Sequence, residues 1–167
     1  MITTPAPPPE VLALLRDPAH TGLHENALGL VKPHRVYTAT LADVLAGRVL
    51  NAAQESAWRD VSPGAAAEAA LRNGEFVITS INEGPFVAAT ADALETARQL
   101  DGDYELRVLS IPAVYVVALW LYADAGSILI PLSPAPSGLN ANQPYNEPDF
   151  TAALRPLAEK RSTTPMV

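Results

Sequence analysis

The chain has 167 residues, 49% of them hydrophobic, with 11 Lys and Arg against 18 Asp and Glu for a formal charge of −7. That is enough apolar material for one core and too little charge for disorder, while scattered cations with no basic run argue against nucleic acid and against polybasic attachment to a membrane surface. No cysteine is present, which excludes disulfides, thiolate nucleophiles and Cys-ligated metal, and no signal peptide or transmembrane run is visible, so a cytoplasmic protein is expected.

Of the 16 prolines, six fall in residues 1–34 and seven in 131–167, leaving a central stretch suited to regular structure. Residues 1–9 read as a flexible Pro-rich lead-in, residues 10–161 as one α+β domain, and residues 162–167 as a frayed tail. Pro9 to Arg16 has the Pro start and the Val11, Leu12, Leu14, Leu15 side of a short helix, stopped by Asp17-Pro18. His34 to Thr40 reads as a strand. Thr40 caps a helix from Leu41, and Asn51 to Arg59 reads as a further helical turn or two that brings Trp58 to the core.

Ser62-Pro63 before Ala65 to Leu71 predicts an Ala-rich helix, with Asn73-Gly74 as its stop. Glu75 to Ile81 alternates as a strand, Phe86 and Val87 read as a brief pairing segment, and Thr90 is expected to cap a helix over Ala91 to Leu100. Tyr104 to Ser110 alternates again. The apolar run Ala113 to Ala123, rich in β-branched and aromatic residues, is expected to pair through a turn at Asp124-Ala125-Gly126 with Ser127 to Leu132, at the centre of the sheet. A long loop then precedes a helix from Asp149, as cap, to about Arg161, interrupted by Pro156. Together these predict an α+β fold with a mainly antiparallel sheet of about four to six strands packed with three to five short helices.

Chemistry is sparsely marked. His20, His24 and His34 are close in sequence and are candidate metal ligands, with Asp17 or Glu25 as an oxygen donor, although Pro18 and Gly22 favour a loop over a chelating helix. Asn140, Asn142, Gln143, Tyr145 and Asn146 form an amide-rich loop suited to binding a polar ligand or peptide, or to packing across the sheet through Leu139, Tyr145 and Phe150. The chain has no nucleophile elbow, phosphate loop or dinucleotide fingerprint, so no cofactor is implied. Three readings follow. The first is a non-catalytic module acting through self-association or binding of another protein. The second is a small metal-dependent or His/carboxylate hydrolase, and the third is a carrier of a small apolar ligand held between sheet and helices.

Overall fold

The computed structural model describes residues 1–17, 31–62 and 65–163. Among these residues it contains a mostly antiparallel sheet of nine strands and five helices, so the α+β class holds and the sheet is larger than the four to six strands expected. The chain enters through β1 (Ile2–Thr3), which pairs parallel with a distant strand, and α1 (Pro9–Arg16), whose Pro start and acidic Glu10 suit a helix N-terminus. Strand β2 (Val31–Thr38) leads to α2 (Leu41–Leu45). The start of α2 is fixed by reciprocal bonds: the Asp43 amide donates to Thr40 Oγ1 at 3.2 Å, and the Thr40 amide donates to Asp43 Oδ2 at 2.9 Å.

After α3 (Val49–Ala52) come β3 (Gln54–Ser62), β4 (Ala65–Arg72) and β5 (Glu75–Asn82), an antiparallel meander. Two expectations are corrected here. Residues 54–59 are strand, not helix, and the Ala-rich segment is β4, not a helix begun at Ser62-Pro63. The physical reason is tertiary: Ala67 and Ala69 lie under Val11 and Leu15 of α1, while Ala66 and Ala70 are buried in other packing clusters, so small side chains suit a strand covered closely. Asn73 and Gly74 have φ of 51° and 81°, which makes them the two-residue turn of the β4–β5 hairpin.

Helix α4 (Pro85–Arg98) begins earlier than Thr90, because Pro85 fits the first helical position. Thr90 is interior and buried, its hydroxyl donating to the Phe86 carbonyl at 2.6 Å, and Phe86 and Val87 are helical. Strands β6 (Tyr104–Ile111), β7 (Val116–Tyr122), β8 (Ile128–Pro131) and β9 (Tyr145–Asn146) follow, then α5 (Glu147–Thr163). The cap of α5 is Asn146, whose Oδ1 accepts from the Asp149 amide at 2.8 Å; Asp149 lies in the first turn.

The strand order is β5-β4-β3-β2-β6-β7-β8-β9, with β1 also paired to β6. The β7–β8 hairpin is present as expected, but the middle of the sheet is β6, which pairs parallel with β1 and β2 and antiparallel with β7. Helices α2, α3 and α5 cover one face around Trp120, Leu129, Phe150 and Leu154, and α1 extends that cover over Trp58. The opposite face, carrying Val36, Leu106, Val108, Leu119 and Leu121, is covered by α4 through Ala93, Leu94 and Ala97. No helix among the described residues is long and apolar enough to cross a membrane.

Candidate functional site

Strand alternation sends Trp58 toward α1 and the neighbouring Arg59 to the opposite face, under the start of α4. There Arg59 stands across the β2–β3 ladder from His34 and across the β3–β4 ladder from Glu68. Arg59 is 4% exposed and its Nε has no hydrogen-bond partner. A guanidinium in that position is costly, because its hydration has been removed without a complete set of acceptors in return. Burial pulls its pKa down, with the Glu68 charge acting in the other direction. Burial also pushes the Glu68 carboxyl up, opposed by Arg59.

Arg59 and Glu68 line a pocket of about 130 Å³ between the sheet and the first turn of α4. Its apolar wall is Val36, Val108 and Val117 from β2, β6 and β7, with Phe86 of α4. Its remaining polar groups are Thr38, Ser56, Asn82 and Ser110. Hydrogen-bond roles can be assigned by following the protons. Ser56 Oγ donates to the Val36 carbonyl at 3.3 Å, so the 2.9 Å contact between Thr38 Oγ1 and Ser56 Oγ uses the Thr38 proton. Both hydroxyl oxygens are left with lone pairs only. Asn82 Oδ1 accepts from the Gly84 amide at 2.6 Å, which leaves the Asn82 amide group as a donor. A Cβ at Gly84 would lie 2.9 Å from that Oδ1, so a larger residue there would displace the Asn82 side chain.

Gly84 is also the residue before α4, and no side chain caps that helix. Pro85 has no amide proton, the Gly84 amide is taken by Asn82 and the Val87 amide by the Gly84 carbonyl, so the free Phe86 amide and the positive dipole end of a 14-residue helix stand at the edge of the pocket that holds Arg59. Donor groups and positive potential converge there, while Glu68 and the two hydroxyl oxygens supply acceptors.

His34, one of the three predicted metal ligands, is wholly buried in β2. Its Nδ1 lies 3.0 Å from the Lys32 carbonyl and must carry the proton, so Nε2, which has no partner, is a bare acceptor. Burial above all lowers its pKa to about 4, with Arg59 contributing and the Lys32 bond opposing. No group of three or more potential metal-binding side chains occurs among the described residues; His20 and His24 lie outside them.

The amide-rich loop is anchored by its own bonds. Asn140 donates its backbone amide to Tyr145 Oη at 3.0 Å and its side-chain amide to Gln143 Oε1 at 3.1 Å, and Asn142 Oδ1 accepts from Thr96 Oγ1 at 2.8 Å. Tyr145 and Asn146 form β9, and Leu139 and Phe150 are buried in the core. These five residues lie apart from the Arg59 pocket lining.

A second charged cluster occupies the opposite face of the sheet. Arg35 Nη2 donates to both Glu105 oxygens at 3.0 and 3.1 Å, and Arg107 Nε donates to the same carboxylate. Arg107 is also framed by the rings of Tyr122, Tyr37 and Trp120, at 3.8, 4.7 and 4.9 Å from their centroids. Although Arg35 Nε lacks a partner, the cations here share an internal counter-charge, which reads as a packed polar layer between α1 and α5. Arg59 has no such bond among the described residues.

Comparison with family models, with curated proteins and with solved structures finds no match to this chain. The pocket therefore stands on its own chemistry. Neither Arg59 nor Glu68 was singled out by the sequence; the available signal was Glu68 as the lone charge in the small and apolar run Ala65 to Leu71, while Arg59 stands beside Asp60 between Trp58 and Val61.

Proposed function

We propose that this chain is a binding module that holds a small carboxylate-bearing molecule between its sheet and α4. The observation that carries this reading is the buried Arg59, whose Nε lacks a partner, lining a pocket beside an uncapped helix N-terminus. A carboxylate supplies a planar acceptor for the guanidinium and for the free Phe86 amide together. The volume limits the ligand: about 130 Å³ is below the range of drug-sized sites, and a cavity of ~150 Å³ admits a molecule the size of benzene. A carrier role thus keeps the sheet-and-helix location of the third sequence reading but changes the ligand from apolar to polar.

Titration of the labelled protein with propionate, followed by nitrogen–proton correlation spectra, tests this. Saturable shifts should appear at the Arg59 guanidinium and at the Phe86 amide, and should vanish in Arg59→Met. Shifts that are absent at millimolar propionate, or that persist unchanged in Arg59→Met, would refute it.

The outer strand favours association as a second property. β5 ends the sheet order, so one of its hydrogen-bonding edges is free of described partners, and Leu71, Val77 and Ile81 on this hairpin are 54%, 38% and 48% exposed. Residues 76–82 carry no charge, which allows a second copy to pair antiparallel along the edge without like-charge repulsion. Sedimentation velocity over a micromolar concentration series should show a dimer that Val77→Lys disperses. A monomer at every concentration excludes this pairing.

A further inference from the structure

The donor and acceptor groups of the pocket are not mixed at random, and their separation specifies more than a carboxylate. Arg59, the side-chain amide of Asn82 and the start of α4 offer protons. On the acceptor side, Glu68 offers a carboxyl group, while Thr38 Oγ1 and Ser56 Oγ have their own protons committed and offer lone pairs. Glu68 is the cross-strand neighbour of Arg59, so a ligand lying against the guanidinium is within a few ångströms of a group of opposite sign.

We infer that the ligand is a small zwitterion, an amino acid with a short side chain, whose carboxylate faces Arg59 and the start of α4 and whose ammonium faces Glu68. This rests on the carboxylate-pocket reading and adds the cationic half. An ammonium has three protons, and the acceptor side provides the two Glu68 oxygens with the hydroxyl oxygens of Thr38, Ser56 and Ser110, so each proton has an acceptor in the lining. A monocarboxylate would satisfy the donor side alone and leave Glu68 desolvated without a partner. A hydroxy acid brings one proton to the same acceptors and no positive charge to face Glu68. The pocket is close to the size needed for a molecule of about six heavy atoms, and the valine wall with Phe86 accepts a methyl but no long chain.

The decisive experiment is calorimetric titration of the full chain with alanine, lactate and propionate, which share a three-carbon carboxylate skeleton and differ in the group at the second carbon. Alanine should bind about tenfold or more tightly than either of the others, as expected for hydrogen bonds to a charged partner. Glu68→Gln should bring alanine to within about twofold of propionate, weakening alanine and tightening propionate as the unpartnered carboxylate is removed, and Arg59→Lys should weaken all three. Circular dichroism of each variant confirms that the fold is retained. Lactate or propionate binding as tightly as alanine, or an alanine preference that survives Glu68→Gln, overturns the zwitterion and leaves the carboxylate pocket standing. Failure of all three ligands to bind overturns both.

Discussion

Acidification should destabilise this protein through His34 in a window fixed by its burial. The ring is wholly buried, its Nδ1–H is committed to the Lys32 carbonyl, and the neighbouring charge across the ladder is the cation Arg59. Its pKa falls from 6.5 to about 4. The native state therefore binds the proton more weakly than the unfolded chain, so the stability associated with neutral His34 is complete above pH 6.5 and is lost as pH falls through 4. At ~1.4 kcal/mol per unit, the loss is about 2 kcal/mol at pH 5 and about 3 kcal/mol at pH 4. Asp60 and Glu68 act in the opposite sense, since burial raises both carboxyls above their unfolded values and their stabilising effect is lost as pH rises through those raised values. The His34 contribution must accordingly be read as a difference between proteins. Urea unfolding of the wild type and of His34→Asn, monitored by circular dichroism from pH 7 to 4, isolates it, because asparagine retains a donor near the position of Nδ1 and does not titrate. The gap between the two free energies should change by about 3 kcal/mol over this range, in the direction that penalises the wild type at low pH. Parallel pH profiles would refute the assignment of a neutral, buried imidazole.

Replacing Arg59 by methionine and Glu68 by glutamine together should raise stability by about 1 kcal/mol or more while removing propionate binding, because a guanidinium with an unpartnered buried Nε and its facing carboxylate give way to neutral groups and neither charge is left alone; a lower unfolding midpoint would contradict the account of the pocket. Ser127→Ala should lower stability by about 1–3 kcal/mol, since Ser127 Oγ accepts the buried Trp120 Nε1–H at 2.9 Å, and an unchanged urea midpoint would show that this bond contributes nothing. Asn146→Ala should cost about 1 kcal/mol through loss of the α5 cap, measurable as a drop in melting temperature that Asn146→Asp largely restores.

The sequence was most informative where pattern and context agreed. The alternation over Tyr104 to Ser110, the β-branched and aromatic run that becomes β7 and the Asp124-Ala125-Gly126 turn all describe neighbouring strands, and local pairing realises them directly. It misled over Ala65 to Leu71, where alanine propensity pointed to a helix and packing on both faces required a strand. The corrective signal was nevertheless present: Asn73-Gly74 between two short runs is a hairpin turn as well as a helix stop. Together with the reading of Asn51 to Arg59 as helical turns, that misreading also concealed the pocket. With Arg59 and Glu68 both placed on helices, nothing made them opposite one another, whereas strand register sets them side by side. Burial of His34 was illegible for a related reason, because the partner strand that covers it comes from a segment read as helical turns.

The placement of β6 orders the assembly of the molecule in time. β3, β4 and β5 meet their partners through adjacent hairpins, but β6 joins β2 in a parallel ladder, Arg35 beside Arg107, with the whole meander and α4 lying between them in the chain. Local closures cost little loop entropy and long ones cost more, so the meander nucleates first and the seating of β6 limits the rate. Pulse-labelled hydrogen exchange during refolding should find the amides of Ala65–Asn82 protected before those of Arg107–Ser110. The pocket spans β2, β3, β4 and β6, and so it comes into existence only with that last, slow step.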